Sequence, residues 1–590
     1  MHGLSQFRSR LSLLLGLGCA LTLLLAVACG AAAPATPAPA KAAQPPAPAA
    51  PAAKPAAPAA PAATVPSPAP VAKPAPAAAV HPGKLTLLIG GFGNERFDFT
   101  YGVGGGNNYA RLMQGFLIAS TPKAELIPGI ASKWDVSADG KTWTFTIRDG
   151  VKFHNGQTLT ADDIYWTLQH YFGPGARERA TNGKSQSVAA NSEKVLQTGP
   201  TTVTYTSIKP DAGFGEVISE ASADWFGVFP KREKVYDDAL EAAYDKNPVG
   251  VGPMRLTRHV TASQMQFERF ADYYYQPANG FPEDRRVKFT TLDLRLVPEE
   301  ATRVAAIRAG EADIAPASLA SRKQIEASGG RMVFGAEGVY ITLAFKVAWD
   351  PAVPFSKKQV RQALGYALDL KVFQDKLFGA EVFTPKGWSY VTPSSLGYSP
   401  DLDPFPYDPN KARQLLAEAG YPGGRGFGKL VLNTWVSTAI PFLPESAQLA
   451  AEFWKRELGL DVEVKVGDEA ANKRCNSTEG CHRGETRWID NEARRDGASI
   501  TRSSFGTLTV AGRHHEDPAI YKLVDETLAV IDPAKRHDAW NKVYKVLKDE
   551  QYQMGIGYIN IPWAVAPRVV TWEPFPLSFY PSGMHTVVLK

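Results

Sequence analysis

His514-His515-Glu516-Asp517 brings together two imidazoles and two carboxylates, groups able to bind a divalent metal. Adjacent histidines on a loop also simply face water. No further ligand follows at a metal-binding spacing, so no metal and no cofactor is assigned. Cys475 and Cys481 flank the polar loop Asn476-Ser477-Thr478-Glu479-Gly480. Outside the cytoplasm such a pair can close a disulfide, and two free thiols are the other reading. Zinc would need more ligands than Cys475, Cys481 and His482. Neither a Gly-x-Ser-x-Gly elbow nor a His-Glu-x-x-His helix occurs, so the chain offers no familiar hydrolytic constellation. The glycines Gly102, Gly104, Gly105 and Gly106 stop short of the dinucleotide fingerprint, because Asn107 stands where its last glycine would fall. They read as loops close to a ligand or to other backbone.

The third cysteine with a chemical reading is Cys29. His2, Arg8 and Arg10 give a weakly basic start, Leu11–Ala28 is apolar, and Ala26-Val27-Ala28-Cys29 closes the run. That order is a secretory signal. A cysteine just after the cut resembles a bacterial lipobox, in which Cys29 is lipidated and becomes the mature N-terminus. An uncleaved membrane helix is the alternative. Acyl chains anchor at roughly 0.8 kcal/mol per buried methylene. Residues 30–81 are almost wholly Ala and Pro and read as a disordered, extended tether. At about 3.1 Å per residue it reaches on the order of 150 Å.

The folded part begins near Lys84 with a strand over Leu85–Ile89. Trp143, Phe145 and Ile147 alternate with threonines, which predicts a strand with one buried face. Asp149-Gly150 is expected to turn it as a hairpin into Val151 and Phe153. Thr160 caps a helix carrying Asp162 and Asp163 in its first turn, with Ile164, Leu168 and Tyr171 inward. Strand and helix then alternate. Strands are expected at Thr291–Val297, Tyr340–Phe345, Leu430–Trp435 and Asp461–Val466. Helices are expected from Pro298 to Gly310, after a Ser356 cap, from Asp408-Pro409 to Gly420, and over Ala447–Glu457. This is an α/β pattern. A net charge of +5 on 590 residues gives no argument for nucleic acid.

Those segments, in that order, resemble the peptide-, nickel- and sugar-binding lipoproteins that serve ABC importers, the family 5 solute-binding proteins. The strongest run is Leu126-Ile127-Pro128-Gly129-Ile130-Ala131, then Trp134, Ser137-Ala138-Asp139-Gly140-Lys141-Thr142-Trp143, Arg148-Asp149-Gly150-Val151-Lys152-Phe153-His154 and Leu159-Thr160-Ala161-Asp162-Asp163. Asn247–Pro253, Pro354–Leu370, Tyr407–Pro422 and Asp532–Arg536 agree with it. The resemblance implies a bilobal, periplasmic-binding-protein-like α/β fold of type II, with an extra subdomain and a hinge between two lobes. Residues 82–291 would be the first lobe, 292–558 the second, and 559–590 a return to the first.

The function implied is that of an extracytoplasmic receptor. It closes over a peptide-like or other small polar solute and delivers it, unchanged, to the permease subunits of an ABC importer. It would be a monomer held at the membrane by lipid, with no enzymatic activity. A sensor that binds solute without transport is the alternative, and a tethered hydrolase a more distant one. By analogy with the family, Tyr109, Trp225, Tyr340, Trp388 and Trp435 would face the cleft, though core packing suits each of them as well. In peptide-binding members a Trp-x-x-Asp element of the second lobe pairs with the ligand's ammonium group. The stretch Asp496–Thr509, taken as its equivalent, holds neither residue where the pattern puts it. Arg502, Ser503, Ser504 and Phe505 there suit a less cationic or an anionic solute; a solvated loop is the other reading.

Overall fold

The computed structural model describes residues 83–590 apart from 94, 102–106, 181–182, 223–225, 438–439, 475–483, 496, 507–514 and 579. Cys29, the leader, the Ala/Pro segment, Trp225, Cys475, Cys481 and His514 therefore lie outside the described residues. Among the described residues no helix is long and apolar enough to cross a membrane.

An eleven-stranded sheet is the frame. Lys84–Ile89 pairs in parallel with Thr291–Leu296, which pairs antiparallel with Gln264–Arg269, and that strand with Met254–Val260. On its other side Lys84–Ile89 meets Ile314–Pro316. The sheet then passes into two long antiparallel strands, Gln553–Val565 and Arg331–Phe345. It continues through Thr486–Glu492 and Lys429–Trp435 to Asp461–Gly467. The strand Thr291–Leu296, expected to open the second lobe, is thus hydrogen-bonded to the first strand of the fold. The chain crosses between the two halves of the sheet on the two long strands, where the register breaks between Gly335 and Val339. The crossing strand is fully buried from Gly338 to Phe345, the pattern of a strand covered on both faces.

A separate four-stranded antiparallel sheet, built from the segment between the first strand and Met254, holds Thr142–Ile147 between Ala131–Val136 and Thr202–Ser207. Its burial alternates as the sequence does, and Trp143 and Phe145 pack on Phe214. Asp149-Gly150 does turn the chain, but no hairpin follows. Val151 and Phe153 close a small loop instead, with the Phe153 N–H donating to Gln157 O and Leu159 N–H to Val151 O. The Thr160 N–H and hydroxyl both donate to Asp163 Oδ2 at 2.8 and 2.7 Å, which fixes the start of Ala161–Phe172. Helices Glu300–Ala309 and Pro409–Glu418 lie where expected, and Leu443–Leu458 covers the expected Ala447–Glu457 but starts one turn earlier. The helix after Pro354 starts at Lys358, with Ser356 spent in a preceding 3-10 turn.

The run ending in His154 and the Gly-rich turn Asn247–Pro253 lock together. His154 is buried; its Nε2–H donates to Gly252 O at 3.0 Å and its Nδ1 accepts from the Gly250 N–H at 3.3 Å. A Cβ on Gly250 would sit 1.9 Å from Met113 O, so only glycine lets the turn lie that close. The neutral ring satisfies both bonds. Burial pushes its pKa down to about 4, with Arg255 acting in the same direction and the Gly252 carbonyl opposing. The unfolded chain then takes up a proton between pH 6.5 and 4 that the folded chain does not. The stability tied to this ring is complete above 6.5 and falls as the pH drops towards 4, by on the order of 3 kcal/mol. His154→Gln keeps a donor and an acceptor but has no titration. Urea midpoints should fall less for the variant than for the wild type between pH 7 and 5; equal losses would contradict the assignment.

Candidate functional site

Thr486–Glu492 and Lys429–Trp435 run in parallel, so their carboxyl ends lie at the same edge. Val339 pairs with Glu492, which puts that edge beside the register break where the chain crosses between halves. A crevice outside the carboxyl ends of strands is where open α/β sheets bind ligands. Asp490 and Glu492 lie at this end of strand Thr486–Glu492, with Arg494 just beyond it.

Asp490 is the residue of interest on this edge. It is half-buried, its Oδ1 is sealed from solvent and has no hydrogen-bond partner, and its Oδ2 lies 3.5 Å from Ser437 Oγ. Trp488, two residues earlier, is in the core with its Nε1–H on Ser446 Oγ at 2.8 Å. Arg487 is also buried, with its guanidinium over the Trp435 ring at 5.6 Å. Burial lowers its pKa to about 10, and the field of Asp490 works against that loss. The sealed Asp490 oxygen has given up water without a hydrogen bond in return, beside a buried cation that is not bonded to it.

The strand Thr486–Glu492 precedes the stretch Asp496–Thr509 taken in the sequence for the Trp-x-x-Asp equivalent. Its Trp488-Ile489-Asp490 carries both residue types at a spacing one residue shorter. That stretch is not a solvated loop: Ala498–Phe505 is a helix, and Arg502 and Phe505 are buried. Arg502 pairs with Asp211, itself buried, so its charge is matched within the chain. Ser504 is half-buried on the same helix.

The aromatic candidates are packed by the protein itself: Tyr109, Tyr340, Trp388, Trp435 and Phe505 are each 1% exposed or less. Tyr109 meets Phe92 edge-on and Phe97 at a tilt, and donates to Arg96 O at 3.2 Å. Tyr340 donates to Gly387 O at 2.6 Å and Trp388 to Gln553 O at 2.9 Å. Trp388 and Phe505 come together, 6.2 Å apart, in a second core with Tyr390, Trp540 and Tyr544. Tyr109 and Trp435 belong to the main core. His515 is buried against Phe505, Tyr521 and Tyr552; its Nδ1 accepts from the Asp517 N–H, and burial lowers its pKa to about 4.

Among the described residues the structure brings together one cluster of metal-ligating groups that the sequence did not suggest: Asp98, His170 and Glu241, all buried. Their atoms are already engaged. Asp98 Oδ2 takes His170 Nε2 at 2.8 Å and Arg232 Nη2 at 3.4 Å, and Glu241 takes Arg179 at 2.9 Å. The cluster is a self-matched charge network.

At the crossing, Glu337 has a left-handed backbone (φ 52°) between the two glycines of the break. Its N–H donates to Asn560 Oδ1 at 2.9 Å, and its carboxylate accepts from Ser394 N–H and Oγ–H at 3.0 and 3.1 Å. Asn560 lies on the other crossing strand. Neither residue was singled out from the sequence, and no motif marks them.

Comparison with known proteins agrees with this architecture. Residues 125–495 match the model of bacterial extracellular solute-binding proteins, family 5. The dipeptide-binding protein of Escherichia coli is 26% identical over 380 residues, 61% of this chain and 65% of that protein. Heme-binding protein A of Haemophilus influenzae is 28% identical over 334 residues, 54% of this chain and 57% of that one. The chain thus spans about six tenths of the length of the curated relatives it matches. The crystal structure of a dipeptide-binding protein from Pseudoalteromonas sp. SM9913 in complex with Met-Leu superposes with a TM-score of 0.69 at 21% identity, over 86% of this chain and all of that one. With a family match covering more than half its length and the bilobal fold to go with it, the chain belongs to the family 5 bacterial extracellular solute-binding proteins.

Proposed function

We propose that this protein is the receptor of an ABC importer, which captures a small solute between its two halves and delivers it to the permease subunits. The observation that carries the reading is the pair of crossing strands: the halves are joined by a narrow band of backbone broken at 335–339, with a carboxylate at the adjoining strand ends. Hinge closure about such a band is a population shift driven by better solute contacts in the closed state. Asp490 receives the solute's cationic or hydrogen-bond-donating group. A peptide-like solute with a free ammonium is therefore favoured over an anionic one, which reverses the expectation built on Arg502.

The lobe boundaries follow the hydrogen bonding in this proposal, with the exchange between lobes near Glu337 on the outward strand and Asn560 on the return. Residues 1–29 are the signal peptide, Cys29 carries the lipid, and residues 30–81 tether a monomeric receptor to the membrane. Mass spectrometry of the native protein should find a bound small molecule. Titration calorimetry with that molecule should give one site per chain and a negative heat-capacity change. A protein that purifies empty, and gives no heat with dipeptides or heme, would defeat the proposal.

A further inference from the structure

The two halves also touch through side chains and backbone outside the crossing strands. Asp211, Lys209 and Ala212 belong to the segment that carries the four-stranded sheet; Arg502, Asp525 and Leu528 belong to the second half. Arg502 is ion-paired to Asp211, Lys209 Nζ lies 2.8 Å from Asp525 Oδ2, and the Ala212 N–H donates to Leu528 O at 2.9 Å. Nearby, Arg494 reaches Ala221 O at 3.4 Å, and Arg495 reaches Glu125. Asp211 and Arg502 are 0% and 2% exposed, whereas Lys209 and Asp525 are near the surface. Asp211 is held ready by its own segment: its Oδ1 accepts from the Gly213 N–H at 3.2 Å and its carbonyl from Trp143 Nε1–H at 3.1 Å.

We propose that the Arg502–Asp211 pair is a solute-independent latch that holds the halves together outside the crossing strands. The proposal rests on reading the halves as lobes that part. The pair is made entirely by the chain, so it stabilises closure before any solute arrives and sets the fraction of empty protein that is shut. Both charges lose water when the lobes meet and regain it when they part. The balance is therefore set by pairing geometry, and losing one partner penalises only the closed form. A receptor whose competent form is more populated binds more tightly in proportion to that fraction.

The amide of Ala212 reports the latch directly, because its hydrogen bond spans the two halves. In solute-free, full-length protein its hydrogen exchange should be at least about 100-fold slower than in an unstructured chain, and Asp211→Asn should speed it about 10-fold or more. The amides of Ile559, Ile561 and Trp563–Val565 on the crossing strand should stay as protected as in the wild type. Arg502→Lys, which keeps the charge, should retain most of the protection. Fast exchange of Ala212 in the empty wild type would overturn the latch, whatever the variants do, as would unchanged protection in a folded Asp211→Asn. Solute titration is read separately: failure to bind any solute would undo the receptor reading and leave the exchange result standing.

Discussion

Asp98→Ala is expected to lower folding stability by about 3–5 kcal/mol, the loss that follows when one partner of a buried charge network is removed. Asp98 is fully buried. Its Oδ1 accepts from the Thr100 N–H and hydroxyl at 3.2 and 2.8 Å, and its Oδ2 faces His170 Nε2 and Arg232. Burial alone would raise the carboxyl's pKa, but His170, Arg232 and the Thr100 bond together hold it far below the usual carboxylate range. Truncation leaves Arg232, which is enclosed by the rings of Trp166, Phe229 and Tyr244, without its counter-charge. His170 Nδ1 still faces Val235 O at 3.0 Å, so the ring stays in place with its other nitrogen unmatched. A loss of this size is a large part of a typical domain's 5–15 kcal/mol. Asp98→Asn should cost less, since its amide can still meet the imidazole. The linkage has the opposite origin to that of His154 and the same sign. A depressed carboxyl pKa contributes stability above about pH 4, which is lost as the pH falls further. Urea midpoints at pH 7 test the ranking, and a wild-type midpoint for Asp98→Ala would refute the network's role.

Most of the frame was legible in the sequence because its elements repeat local rules. Alternation gave Thr142–Ile147, a cap with acidic neighbours gave Ala161–Phe172, and glycine stops gave Glu300–Ala309 and Pro409–Glu418. What local pattern cannot show is which strands share hydrogen bonds. Thr291–Leu296 opens a strand–helix run in the sequence, yet its partner is Lys84–Ile89, some two hundred positions earlier. Asp149-Gly150 is a turn whose next residues are drawn off by His154 and Gln157, so the hairpin never forms. The site was less legible for the same reason. Aromatic residues were chosen for their chemistry, and the fold spent that chemistry on packing: Trp388, Tyr390, Phe505, Trp540 and Tyr544 form a core of their own. Arg502 was free to pair with a solute until the fold placed Asp211 beside it, from 291 positions away. Glu337 and Asn560 matter only through each other and Ser394.

Asp490→Asn is expected to weaken solute binding by at least about 100-fold, or about 2.7 kcal/mol, within the 2–5 kcal/mol lost when one side of a buried, hydrogen-bonded charge pair is truncated. The carboxylate oxygen that would meet the solute is sealed and, among the described residues, unbonded, so it is desolvated in advance and has no described partner to give up. That is costly to the empty protein and favourable to a ligand bringing a cation or a donor. Neutralising it therefore acts on folding in two opposed ways. The sealed oxygen no longer carries charge, while buried Arg487 loses a favourable field. The net change in stability should stay under about 1 kcal/mol, so the variant should unfold near the wild-type urea midpoint and still fail to hold its solute. Ser437→Ala, which removes only a contact of 3.5 Å, should cost less than tenfold. Calorimetry with the co-purified solute measures both. Affinity within threefold of wild type for Asp490→Asn would move the recognition of the solute away from this strand end, and a large loss of stability alongside lost binding would make Asp490 a structural residue instead.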